Sequence, residues 1–183
     1  MSIPAYKEKR YTYKDYLEIS DDNRYEIIEG GLMMVPAPIP FHQKISKKIE
    51  FEFVKFVEGK KLGEVFDAPC DVILDEENVV QPDIMVILNK NLNIIKEKNI
   101  SGVPDLIVEI LSESTAYIDL IKKKKLYERF QVKEYWIVDP AEKTITVYSL
   151  KKNKFIEIKT FSQDETLSSP LFSGFSLSVS DMF

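Results

Sequence analysis

Apolar residues along the chain fall into short runs divided by polar turns, which is the patterning of an α/β protein. Tyr13 to Ile19 reads as a short helix closed by Ser20-Asp21-Asp22-Asn23, and the runs Arg24 to Glu29 and Leu32 to Val35 flank Gly30-Gly31 as a β-hairpin. Pro36, Pro38 and Pro40 then hold an extended loop, because each fixes its own φ and keeps the preceding residue out of helix. From about Phe41 to Glu58 the apolar positions Ile45, Ile49, Phe53 and Phe56 recur at helical spacing, so this helix lays one face on a sheet. Glu64 to Ala68, Asp71 to Leu74 and Val79 to Leu88 read as strands, divided by Pro69 and by Asp75-Glu76-Glu77-Asn78. Asn89 to Ser101 is polar and mixed, a loop with a short helix.

Asp105 to Leu111 is apolar on both faces and belongs in the middle of a sheet covered by helices. A helix from about Ala116 to Phe130 follows it. Glu134 to Val138, Lys143 to Leu150 and Phe155 to Phe161 form a run of antiparallel strands, and the tail from Ser168 is Ser-rich with scattered apolar residues. The expected class is α/β, a mixed β-sheet flanked by helices with an N-terminal β-hairpin.

With 183 residues the chain has enough material for one substantial core, so a single domain spanning 1–183 is expected. Its 44% hydrophobic and 30% charged residues describe an ordinary globular protein. The longest apolar runs are strand-sized, far below the roughly 20 residues a membrane crossing needs. The basic N-terminal stretch has no apolar segment behind it, so the expected location is the cytoplasm. One cysteine, Cys70, leaves no internal disulfide and no zinc cluster of cysteines, and reads as a small core or strand-edge residue. A net charge of −5 argues against broad electrostatic coating of nucleic acid. The lysine groups at Lys44, Lys47 and Lys48, at Lys60 and Lys61, and at Lys122 to Lys125 read individually as solvated faces.

Glu109 lies within Leu106-Ile107-Val108-Glu109-Ile110-Leu111, where an ionised carboxylate needs a cation, a metal or strong donors beside it. The alternative is a strand-end acid facing water. Asp83 follows Gln81-Pro82 and opens an apolar strand, and an Asp after Pro is equally at home in a plain turn. In the helix that follows Glu109, steps of about 100° gather Ala116, Leu120, Leu126, Tyr127 and Phe130 on one side, centred on Lys123. Lys123 therefore points inward while Lys122, Lys124 and Lys125 face solvent. An inward lysine and a buried acid on the preceding strand call for each other; a Lys123–Asp119 pair at i,i+4 is the competing arrangement. Two carboxylates and a lysine at the ends of central strands suit Mg²⁺ or Mn²⁺ rather than zinc, and with them phosphodiester hydrolysis.

The order of motifs extends this. Val80-Gln81-Pro82-Asp83-Ile84 is followed by Asp105 through Ile110-Leu111-Ser112-Glu113-Ser114-Thr115, by Asp119-Leu120 through Lys123 to Leu126-Tyr127, and by Glu134-Tyr135-Trp136-Ile137-Val138-Asp139-Pro140. Together with Tyr25-Glu26-Ile27-Ile28-Glu29-Gly30 this resembles the Uma2 family of restriction-endonuclease-type proteins, once grouped as a domain of unknown function. The resemblance implies the PD-(D/E)XK nuclease fold, with Asp83 and Glu109 as metal ligands for Mg²⁺ or Mn²⁺ and DNA as substrate. The standard pattern places its lysine two residues after the acid, where this chain has Leu111. Lys123 is the relocated lysine that the family implies. Glu26 and His42 also match, as candidates for a second metal or a phosphate, whereas Gly31 stands where the family commonly has an acid. His42 alternatively reads as a surface residue at a helix start.

The leading expectation is a metal-dependent endonuclease using metal-activated water, with Asp83, Glu109 and Lys123 catalytic. The alternative is a catalytically inactive nucleic-acid-binding or assembly module of the same fold. An enzyme on small phosphorylated molecules ranks last, because no Gly-rich phosphate loop is present. Enzymes of this fold often dimerise, so a homodimer is expected, with Leu171, Phe172, Phe175 and Phe183 serving either that contact or the core.

Overall fold

The computed structural model of the chain describes residues 9–112 and 118–183. A short helix α1 (Tyr13–Leu17) opens it, capped by Thr12, whose hydroxyl accepts from the Asp15 backbone while the Asp15 carboxylate accepts from the Thr12 amide. The hairpin β1 (Arg24–Ile28) and β2 (Gly31–Val35) turns through Glu29 and Gly30, both at positive φ, as a tight two-residue connection requires. Helix α2 (Pro40–Phe53) starts on a proline at its first position, where the missing N–H costs nothing, and runs on into a π-wound turn, Val54–Glu58. The strands β3 (Gly63–Asp67), β4 (Val72–Asp75), β5 (Asn78–Val80) and β6 (Ile84–Leu88) follow. A 3₁₀ segment, Asn89–Ile94, then leads through the two-residue β7 (Ile100–Ser101) to β8 (Leu106–Ile110). A second π-wound turn, Ile118–Lys123, passes into α3 (Lys124–Arg129). The chain ends with β9 (Glu134–Asp139), β10 (Thr144–Lys151), β11 (Lys154–Phe161), β12 (Thr166–Ser168), β13 (Ser176–Ser178) and α4 (Val179–Met182).

These strands make a six-stranded mixed sheet in the order β11-β10-β9-β8-β6-β3 and a five-stranded sheet in the order β2-β1-β5-β4-β7. Strand β8 is central to the larger sheet, parallel to β9 and antiparallel to β6, and every residue in it is buried. The alternation of its side chains divides the core in two. Val108 and Ile110, with Ile84, Val86, Trp136 and Val138, face α2 and the C-terminal segment. Ile107 and Leu111, with Met85, Ile87, Tyr135 and Ile137, face the smaller sheet and α3.

The sequence reading of Val79 to Leu88 as one strand is corrected. Val80 ends in the smaller sheet and Ile84 begins in the larger, with Gln81-Pro82-Asp83 crossing between them. Pro82 has no N–H to donate and interrupts any continuous ladder there. The inward face expected of the helix after β8 is corrected in part. Lys123, Leu126 and Tyr127 are buried and Phe130 is half-buried, but Leu120 is 43% exposed. A π-wound turn advances the chain by i→i+5 hydrogen bonds, so a 100° step misplaces the residues ahead of Lys123. Lys124 is half-buried over the Tyr148 ring rather than fully solvated. Ala116 and the side chain of Asp119 lie outside the described residues.

Of the two roles open to the C-terminal apolar residues, the core is the one they fill here. Phe172 and Phe175 are buried, Phe175 stacking on Phe53 at 5.0 Å, and Leu171 and Phe183 pack against the same cluster. Fully buried Glu134 ties this tail to β9, since its carboxylate accepts from the Trp136 indole N–H at 2.6 Å and from the Leu171 amide at 2.7 Å. Among the described residues no helix is long and apolar enough to cross a membrane.

Phe53 touches Trp136 and Phe175, both at 5.0 Å between ring centroids, so Phe53→Ala should cost about 3–5 kcal/mol in urea denaturation. Burial raises the Glu134 carboxyl above its ordinary value. A group raised in the folded state contributes stability below its unfolded value, lost as pH rises through the folded one. The stability of the wild type relative to Glu134→Gln should therefore fall as pH rises above about 4.5; a constant difference would refute this.

Candidate active site

Four elements converge at the carboxyl end of β8. The strand supplies Glu109, hairpin strand β1 supplies Glu26, the crossover before β6 supplies Asp83, and the turn leading into α3 supplies Lys123. The Lys123 ammonium sits 2.9 Å from Glu26 Oε1 and 3.0 Å from Glu109 Oε1, with all three side chains about 95% buried. It thereby bridges the two sheets, one carboxylate on each. The Tyr127 hydroxyl, one turn further along, donates to Glu109 Oε1 at 2.6 Å, and the Gln81 amide donates to Glu26 Oε1 at 2.7 Å. Burial, and then the Glu109 charge, hold the Tyr127 phenol well above its ordinary range, so it remains a donor.

Asp83 lies beside this network. Its Oδ2 accepts from the Ile110 amide at 2.7 Å and is 3.2 Å from His42 Nε2, which is also 3.1 Å from the Ile110 carbonyl oxygen. Both neighbours of Nε2 are acceptors, so that nitrogen carries the ring proton. The surface reading of His42 is set aside: it is buried in the first turn of α2 and fastens that helix to Asp83 and β8. Glu26 is placed as the second carboxylate on Lys123.

The structure thus brings Glu109, Lys123 and Glu26 into direct contact and Asp83 with His42 onto the neighbouring backbone of Ile110. Two participants escaped the sequence reading. Tyr127 counted only as an apolar position, although an aromatic hydroxyl four residues after an inward lysine is a signal for a shared partner. Gln81 acts through its backbone amide, which no side-chain pattern reveals.

The donor chemistry fits a hard cation. Mg²⁺ takes one or two carboxylates, keeps several waters and completes its shell with substrate phosphate, and Asp83 and Glu109 offer carboxylate oxygens on adjacent chain segments. Among the described residues there is no group of three or more His, Cys, Asp and Glu side chains arranged to enclose an ion.

A family model described as "Uma2: Putative restriction endonuclease" matches residues 12–180 of the chain. No curated protein matches it. Among solved structures, a crystal structure described as a putative nuclease belonging to DUF820, from Anabaena variabilis ATCC 29413, superposes with a TM-score of 0.76 at 23% identity. The match covers 94% of this chain and 97% of that one. At that identity the likeness establishes the shared fold.

Replacing Lys123 by Met leaves Glu26 and Glu109 buried without their shared cation and should destabilise the protein by about 3–5 kcal/mol. Adding Glu26→Gln to that variant should recover part of the loss. Denaturant melts of both variants check this, and an additive double mutant would contradict a shared network.

Proposed function

We propose that this chain, which belongs to the Uma2 family, is a Mg²⁺- or Mn²⁺-dependent nuclease that hydrolyses DNA phosphodiester bonds, with Asp83 and Glu109 as metal ligands and Lys123 as the catalytic cation. The observation that carries this reading is the 3.0 Å contact between Lys123 and Glu109. A lysine supplied by the following helix reaches the acid on the central strand, although the strand position two residues after that acid is Leu111. Bound here, the ion would polarise a phosphate oxygen and lower the pKa of water.

The chain's own residues supply orientation and charge. The Ile110 amide and His42 hold Asp83, while Tyr127 and Lys123 hold Glu109, so neither carboxylate has to be reoriented when an ion and a phosphate arrive. Lys123 places a fixed positive charge where negative charge grows during phosphoryl transfer. The single free cysteine, Cys70, suits the reducing cytoplasm in which we place this activity.

A second reading, a nucleic-acid-binding module without catalysis, draws on one observation. Glu109 and Lys123 are almost fully buried in a satisfied network with Glu26 and Tyr127. Calorimetric titration of Mg²⁺ and Mn²⁺, paired with plasmid nicking on the same samples, separates the two. Wild-type binding and nicking, both abolished in Asp83→Ala and Glu109→Ala, is the expected result. Folded wild-type protein that neither binds metal nor nicks DNA would overturn the nuclease reading and favour the second.

A further inference from the structure

We propose that the outward face of α2 is a track for a single nucleic-acid strand, with Lys44, Lys47 and Lys55 contacting phosphates and Phe51 stacking on a base. The proposal rests on the reading of Asp83 and Glu109 as a nuclease centre and deepens it by naming the form of substrate. At about 100° per residue Lys44, Lys47 and Phe51 fall within about 60° of one another. Lys55 continues the line into the π-wound turn, and all four are exposed. Phe51 is the most exposed large apolar residue of this helix. Its buried face is already supplied by Ile45, Ile49 and Phe53, yet Phe51 is a large aromatic left 62% exposed among lysines. An aromatic ring between spaced cations is the composition that holds an unpaired strand, since lysines meet phosphates and the ring takes the open face of a base.

The acids of the helix do not cancel this face. Half-buried Glu50 lies off the stripe towards Asp67 on β3, whose charge adds to burial in raising its carboxyl. Glu52 flanks the stripe and contacts Lys55 at 3.4 Å, in a pair whose lysine side is 66% exposed and whose glutamate is half-buried. Lys48 is not counted in the track, because its ammonium donates to the Asp181 carbonyl at 2.5 Å and helps hold α4.

His42, which contacts Asp83, lies two residues before Lys44 and so about 200° round the helix on its inward face, which places α2 between the stripe and the candidate centre. From Lys44 to Lys55 the helix rises about 16 Å, roughly four or five stacked nucleotides at about 3.4 Å each. A chain of net charge −5 is poorly suited to embrace a duplex, and a narrow basic line with one aromatic suits one strand.

Fluorescence anisotropy with a labelled 12-nucleotide single strand and the matching duplex, in EDTA so that no cleavage intervenes, tests this between about 50 and 200 mM salt. The full chain should prefer the single strand. Phe51→Ala should weaken that binding roughly 5- to 150-fold. The triple variant Lys44→Gln, Lys47→Gln, Lys55→Gln should lower the slope of log K against log salt by about 2. All substitutions lie on an exposed face, and circular dichroism confirms the fold of each variant. Duplex preference, absence of binding by the wild type, or variants with wild-type affinity and slope would each overturn the track. Protein that binds the single strand through these residues but never nicks DNA with Mg²⁺ upholds the track and removes the nuclease reading. Protein that nicks DNA while its stripe variants bind unchanged does the reverse.

Discussion

The architecture turns on one buried cation. Lys123 lies between Glu109 on the larger sheet and Glu26 on the smaller, so the two sheets are joined across their shared core by charge as well as by apolar contact. Desolvating an ammonium and two carboxylates is costly, and the arrangement holds only because the remaining lone pairs find donors, namely the Gln81 amide on Glu26 and the Tyr127 hydroxyl on Glu109. Apolar residues would hold the sheets together with less penalty. A charged network stands there instead, and it ties the two sheets at one point.

The same requirement explains the crossover before β6. Gln81, Pro82 and Asp83 move the chain from one sheet to the other, and each does something specific on the way. The Gln81 amide meets Glu26, Pro82 ends the ladder, and Asp83 meets the Ile110 amide at the end of β8. One short segment thus holds Glu26 of the smaller sheet and presents Asp83 to the end of β8 in the larger one. His42 adds the third layer by fastening α2 to the same strand end.

Much of this was legible in the sequence, and the parts that were not share a cause. Periodicity placed α2, the hairpin and the central strand because each repeats its pattern over several residues, and a helical phase centred on Lys123 was enough to predict its burial. Leu120 was misplaced because the turn before Lys123 is π-wound, a local change of period that composition does not announce. The division of Val79 to Leu88 between two sheets depends on which strands lie alongside, as does the meeting of Glu26 with Lys123, and neither is a property of the local sequence. Backbone participants such as the Gln81 amide leave no trace in side-chain identity.

Locating the lysine on a helix, with Leu at position 111 of the strand, also affects how the protein comes together. Glu26 and Lys123 lie about 100 residues apart in the chain, and Glu109 precedes its lysine by 14 residues. Strands that have paired before that helix docks hold the acids without their counter-charge. The repulsion between Glu26 and Glu109 then opposes closure of the two sheets until Lys123 arrives. Completing the charged centre requires the same non-local meeting of the two sheets as completing the fold, so a chain whose sheets have not met carries no finished site.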